Sequence, residues 1–333
     1  VCSSDLINFW KIKLLKHGAK PGDKLGSIIE AADIHSKAIM FAAFELGVGV
    51  VTLNRPTNEK ECNTFKSNAF LPLDFFIFTT NIFDPGFFDV AVNHFIKNSK
   101  VIISFDQDEW DLRNSFRSKE ITPILAKPED PLLLCYSSGT IGTPKLISHT
   151  HKFLYELCNY NWKELGFSDN DHFIHISNLN HGAVLSLLLP ALKICKNHYF
   201  YIGLVALGSK PDDVNFNNYS KFVNDCLKFN ITKVFCTRGD TLEQIINHLI
   251  NNKIKLPQVE IIFLSFINPK WTKIISEGGL KSITSVFGCS EACGPIFMSQ
   301  LNSTNTDNFN PKYLGYPTTG FYDTKIVNGQ IIT

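Results

Sequence analysis

The segment Tyr136-Ser137-Ser138-Gly139-Thr140-Ile141-Gly142-Thr143-Pro144-Lys145 follows an apolar run and is itself too rich in Gly, Ser and Thr to pack, so it reads as a loop. Its hydroxyls on Ser137, Ser138, Thr140 and Thr143, its flexible Gly139 and Gly142, and the terminal Lys145 offer O–H donors, backbone N–H donors and one cationic point charge. Such a set suits the oxygens of a polyphosphate. It is not a Walker loop, which needs Gly-Lys-Ser/Thr in succession at the start of a helix, whereas Thr143-Pro144 precede Lys145 here. A second group, Phe287-Gly288-Cys289-Ser290-Glu291, places an aromatic plane able to stack on a base beside a Gly that lets backbone come close to a ligand. Its Glu291 is a hard oxygen donor of the kind Mg²⁺ takes. A Glu after a strand is by itself more often a solvated or capping residue, and only the loop upstream gives it weight.

Elements that could position these groups follow one another in regular order. Apolar runs alternate with helical patterns, the signature of βαβ units and of parallel sheets covered on both faces, so the class is α/β. Strands are expected at Lys24–Ile29, Val48–Leu53, Phe75–Phe78 and Val101–Phe105, with helices at Ile34–Leu46 and Val90–Lys97. After the polar stretch 106–131, strands at 132–136, 172–176, 198–202, 233–236, 259–264 and 282–287 alternate with helices at 152–165, 181–193, 219–229 and 241–251. A dozen or so strands would strain one open sheet, so two α/β layers are expected.

Composition narrows the function classes. With 44% hydrophobic and 19% charged residues, the 333-residue chain can bury a large core. The balance of 32 Lys+Arg against 31 Asp+Glu offers nothing to a nucleic acid or an acidic lipid surface. Nine cysteines without a Cys-x-x-Cys pair, the closest being Cys289 and Cys293, suit reduced thiols and a cytoplasmic setting. The longest apolar run, Gly182 to Leu192, is far shorter than the roughly 20 residues of a membrane span and contains Pro190, so it reads as a buried helix. The opening Val1-Cys2-Ser3-Ser4-Asp5-Leu6 resembles a translated sequencing adapter and is expected to stand outside the fold. At the other end, Ile331-Ile332-Thr333 stops in an expected strand directly after the turn signal Asn328-Gly329, as though the frame continued.

In order and spacing the two chemical motifs resemble those of the adenylate-forming (AMP-binding) superfamily of acyl-CoA synthetases, coumarate-CoA ligases, luciferase-like enzymes and peptide-synthetase adenylation domains. That family's phosphate loop reads Ser-Gly-Thr-Thr-Gly-x-Pro-Lys, and Phe287-Gly288-Cys289-Ser290-Glu291 is similar to its Tyr-Gly-x-Thr-Glu. Lys20-Pro21-Gly22-Asp23-Lys24 resembles its early Lys-Pro-Gly-Asp-Arg turn, so the likeness covers nearly residues 16 to 333.

The resemblance implies the large N-terminal part of that fold: a first α/β subdomain over about 16–130, a second over about 131–300, the start of a partial β-barrel over about 301–333, and no C-terminal lid domain. It implies ATP-dependent conversion of a small-molecule carboxylate to an acyl-AMP, with Mg²⁺, pyrophosphate release and transfer to coenzyme A. Transfer to a carrier-protein thiol, or a nucleotide-binding domain without catalysis, are the alternatives. Catalytic roles fall on Thr140, Lys145 and Glu291, and the metal on Thr140 and Glu291. ATP contacts fall on Ser137, Ser138, Gly139, Thr140, Ile141, Gly142, Thr143, Lys145, Ser285, Phe287, Gly288 and Ser290. His181, Gly182, Phe266 and Ile267 are assigned to the acyl pocket, although a His opening an apolar helix is as often a capping residue.

The pattern also departs from the family's. Ile141 stands for Thr, Leu146 for Gly, Phe287 for Tyr and Ser290 for Thr. Phe266-Ile267 replace a glycine pair, which is expected to shrink or reshape the acyl pocket, and Val286 sits where a small residue often lines the nucleotide.

Overall fold

Apolar strands buried on both faces form the middle of two separate sheets in the computed structural model, which describes residues 3–29, 34–53, 72–79, 88–105, 126–136, 145–176, 182–200, 217–237, 239–318, 325–327 and 330–332. The chain divides into two units, Val1–Tyr155 with Leu179–Gly182, and Glu156–Asn178 with Ala183–Thr333.

The first unit runs α1 (Ser3–Lys16), β1 (Lys24–Ile28), α2 (Ile34–Glu45), β2 (Gly49–Val51), β3 (Leu73–Thr79), α3 (Phe88–Asn98), β4 (Ser99–Phe105), β5 (Pro131–Tyr136) and β6 (Leu146–Thr150). They form a six-stranded sheet in the order β4-β3-β1-β2-β5-β6. Every pair is parallel except β5–β6. On α1, Leu6, Trp10 and Leu14 recur at helical spacing and are buried. Leu6 falls in the opening stretch expected to stand outside the fold. The Trp10 indole donates to His35 Nδ1 at 3.1 Å, and Lys11 pairs with Glu45 at 2.6 Å, which ties α1 to α2.

The Lys20-Pro21-Gly22-Asp23 motif is a turn. The amide of Asp23 donates to the Lys20 carbonyl at 3.2 Å and Gly22 takes a φ of +88°, with Pro ahead of it as a type II turn requires. The Asp23 carboxylate then accepts from the Lys20 amide at 3.0 Å, and the Asp23 carbonyl from the Gly49 amide at 2.8 Å, so the motif fixes where β2 joins β1.

The second unit contains α4 (His151–Glu164, entering from the first), β7 (His172–His175), α5 (Gly182–Ile194), β8 (Asn197–Phe200), α6 (Asn217–Lys228), β9 (Lys233–Cys236) and α7 (Gly239–Asn251). It continues with β10 (Leu256–Phe263), α8 (Thr272–Ser276), β11 (Leu280–Gly288), β12 (Pro295–Asn302) and β13 (Tyr316–Pro317). The sheet order is β13-β12-β11-β10-β9-β7-β8. The pairs from β8 to β11 are parallel, while β11–β12 and β12–β13 are antiparallel. A short hairpin, β14 (Lys325–Val327) and β15 (Gln330–Ile332), follows, with Val327 paired to Gln330 around the Asn328-Gly329 signal.

The mixed α/β class with two sheets agrees with the sequence. Strands β6, β12 and β13 add antiparallel pairs to the parallel pattern that the βαβ spacing marks. The connections from Tyr136 to Leu146 and from Gly288 to Pro295 are shorter than the dozen or so residues a parallel crossover takes, so the chain turns back on itself. Helix α5 continues through Pro190, with Leu185, Leu187, Leu188 and Ala191 buried. Among the described residues no helix is long and apolar enough to cross a membrane.

Candidate active site

Both chemical motifs occupy the same kind of place, the loop that follows the last strand of a parallel run and leads into an antiparallel partner. The carboxyl ends of parallel strands are where α/β sheets bind ligands.

In the first unit the flanks of the phosphate motif, Tyr136 and Leu146, are cross-strand partners. Both pack against the cluster that contains Phe76, Phe95 and Leu134. Leu146, which stands where the resemblance has Gly, therefore serves as an apolar anchor at the end of the loop. Lys145 is exposed just before β6. Ser137, Ser138, Gly139, Thr140, Ile141, Gly142 and Thr143 lie outside the described residues, as does His181; Gly182 is the first residue of α5.

In the second unit Phe287 pairs with Phe297 across the β11–β12 hairpin. Their ring centroids lie 6.4 Å apart at 54°, with Phe287 38% exposed and Phe297 buried. The Phe287 ring is thus partly exposed and rests at a tilt beside a second ring. Gly288 pairs with Pro295, which leaves Ile296 as a bulge. The Ile296 carbonyl accepts from the Thr318 amide at 2.8 Å, and the Thr318 hydroxyl donates to the Pro295 carbonyl at 2.8 Å. A Cβ at Gly288 would lie 2.1 Å from the Gly294 carbonyl oxygen. The sequence reading credited this glycine to nucleotide approach; the hairpin itself already demands it.

The tip of the hairpin is closed by the Cys293 amide donating to the Cys289 carbonyl at 3.0 Å, with Cys293 at a φ of +55°. Ala292 is buried with Ile296 and Phe297, whereas Glu291 is exposed and Ser290 half-buried. Cys289 is exposed as a residue, but partial desolvation of its sulfur raises the thiol pKa; the neighbouring Glu291 carboxylate adds to this, against the backbone amides of Ala292 and Glu291. The thiol is accordingly neutral near pH 7 and a poor nucleophile.

The pair expected to reshape the acyl pocket divides. Phe266 is 53% exposed just beyond β10, while Ile267, 3% exposed, belongs to the core cluster with Trp271 and Ile274. Val286 is likewise buried. The Ser285 hydroxyl donates to the Ser265 carbonyl at 2.6 Å. Sequence reasoning missed Phe297 and Ser265, and no spacing signal pointed to either, because their roles arise from pairing and from a strand end. Strand β7 lies between β8 and β9, so the order of the sheet reverses there, a second place where open α/β sheets receive ligands.

The family model described as AMP-binding enzyme matches residues 13–330. Among solved structures, o-succinylbenzoate CoA synthetase from Bacillus subtilis, in complex with ATP and magnesium ion, is similar at 18% identity and a TM-score of 0.69, covering 99% of this chain and 62% of that one. A long-chain-fatty-acid-CoA ligase from Archaeoglobus fulgidus matches at 16% identity and TM-score 0.70, covering 94% and 61%. Fatty acyl CoA synthetase from Mycobacterium tuberculosis matches at 15% and 0.71, covering 98% and 61%. The chain therefore spans about three fifths of the length of these proteins, and at such identities the likeness describes the fold.

Proposed function

Because this chain belongs to the family of AMP-binding enzymes, we propose that it activates a carboxylic acid with ATP to an acyl-AMP, releasing pyrophosphate, and that a thiol, coenzyme A first, then takes the acyl group. The observation that carries this reading is the β11–β12 hairpin, which leaves the Phe287 ring exposed at the carboxyl end of a parallel strand and the Glu291 carboxylate exposed in the turn just after it. The solved relatives with ATP and magnesium, and with a CoA product analogue, support the choice of ligands.

The substrate carboxylate is ionised at pH 7 and needs no general base. One of its oxygens bonds to the α-phosphorus of ATP as the bond from that phosphorus to the pyrophosphate oxygen breaks. The thiol then bonds to the acyl carbon, and AMP leaves. Catalysis rests on holding the reactants in line and on opposing charge on the phosphoryl oxygens. Ser137, Ser138, Gly139, Thr140, Gly142, Thr143 and Lys145 take the β- and γ-phosphates, Lys145 as the cation. Phe287, Gly288 and Ser290 face the nucleotide. An exposed carboxylate is a fitting hard ligand, so Glu291, with Thr140, would hold Mg²⁺, which neutralises phosphate charge when bound. His181, Gly182 and Phe266 are assigned to the acid. The free thiols of the described cysteines favour a reducing, cytoplasmic compartment.

Loss of catalysis with retained nucleotide binding is the second reading, and the bulk of Phe266 is what favours it. The burial of Ile267 removes half of that argument. Substituting Gln for Glu291 keeps size and removes charge, so magnesium titrations of ATP binding are expected to lose most of their metal dependence; identical titration curves for the two proteins would overturn the metal assignment.

A further inference from the structure

Strand β10 leaves the sheet after Phe263, whose register partner on β11 is Ser285. On one side the departing chain keeps a bond from the Leu264 amide to the Cys236 carbonyl at 3.3 Å. On the other side the ladder has ended, and the Ser265 carbonyl is taken by a side chain, the Ser285 hydroxyl at 2.6 Å. Ser285 is buried and Ser265 exposed, so a hydroxyl held inside the unit anchors a backbone segment that lies at its surface.

Two further anchors follow within three residues. Ile267 is buried in the Trp271 cluster, and the Asn268 side chain accepts from the Lys270 amide at 3.1 Å, capping the short 3₁₀ turn Pro269–Trp271. Between the Ser265 and Ile267 anchors stands Phe266, 53% exposed where most large apolar side chains of this unit are buried. Residue 285 is also two positions before Phe287 on the same strand. A single hydroxyl thus fixes the backbone that carries one exposed aromatic ring to the strand that carries the other.

From this juxtaposition we infer that Ser285 is a positioning residue, which holds Phe266 at the carboxyl edge of the sheet and so sets the fit of the acid beside the nucleotide motif. Its hydroxyl serves the Ser265 carbonyl rather than ATP. The inference rests on the acid-activating reading for its effect on substrate, and on hydrogen bonding alone for its effect on the segment 264–268.

The test compares the unsubstituted protein with Ser285→Ala and Ser285→Thr by amide hydrogen exchange and by acid-dependent ATP–pyrophosphate exchange. Removing this hydrogen bond is expected to speed amide exchange in 264–268 about five- to tenfold and to raise the KM for the acid by a similar factor. The kcat and the KM for ATP are expected to stay within about twofold, because Phe287 and Glu291 keep their hairpin, and Ser285→Thr, which retains a hydroxyl, restores the acid KM. Unchanged amide exchange in 264–268 overturns the inference, whether or not the protein activates an acid. A KM for ATP that rises with that for the acid, without rescue by Thr, overturns it as well and returns Ser285 to the nucleotide. If the unsubstituted protein catalyses no exchange with any acid, the acid-activating reading fails, and the hydrogen-exchange comparison alone decides the Ser285 link.

Discussion

Alanine at position 145 is expected to weaken ATP binding and to reduce acid-dependent pyrophosphate exchange by about 10²- to 10³-fold, the effect of removing one preorganised donor from a charge-developing site. Lys145 lies at the end of the hydroxyl- and glycine-rich loop and is exposed just before β6. Its contribution to the core is therefore small, and a surface substitution of this kind leaves stability within about 0.5 kcal/mol. Retained folding with lost affinity is the signature of a phosphate contact. Arg keeps the charge but replaces a compact ammonium with a planar fork, so Lys145→Arg should recover only part of the binding. Unchanged ATP affinity in Lys145→Ala would remove this residue from the site.

The largest expected effect on stability lies in the second unit, at Lys233. Its ammonium is 3.0 Å from Glu260 Oε2 and 3.2 Å from the Leu165 carbonyl, with the residue only 4% exposed. The other carboxylate oxygen, Oε1, accepts from the Thr284 hydroxyl at 2.9 Å, and the Gln300 amide donates to that hydroxyl at 3.2 Å. A polar ladder thus crosses β9, β10, β11 and β12 inside the unit. Replacing Lys233 with Met leaves the Glu260 charge buried without its cation, which costs about 3–5 kcal/mol. Adding Glu260→Gln to Lys233→Met removes the stranded charge, so the double variant should be more stable than the single one. Denaturant midpoints of the three proteins check this, and a loss below about 1 kcal/mol in Lys233→Met would contradict it.

Much of the fold was legible because its elements follow their periodicities closely. Strand β9 matches the expected span, and helix α7 differs only in starting at Gly239 rather than Thr241. What was not legible depends on pairing between distant residues. Strand β6 follows directly on a loop, and its Leu146-Ile147-Ser148-His149-Thr150 lacks the continuous apolar run that marked the parallel strands. Helix α1 went unread because its first turn coincides with the adapter-like opening.

The candidate site was readable as motifs but not as geometry. Aromatic, glycine and carboxylate could be picked out at 287, 288 and 291. That Gly288 is needed for the approach of Gly294, or that Phe297 supports Phe287, depends on the antiparallel return of β12. The substitution at 266–267 was visible, yet only burial separates an outward Phe266 from a core Ile267.

Acid-dependent ATP–pyrophosphate exchange by the full-length protein tests the central claim most directly, with aromatic, medium-chain and long-chain acids and amino acids each offered as substrate. Exchange that appears with one acid class, and is absent without acid, is the predicted result. Absence of exchange with every class, from a folded protein that still binds ATP, would contradict acid activation and leave a nucleotide-binding module.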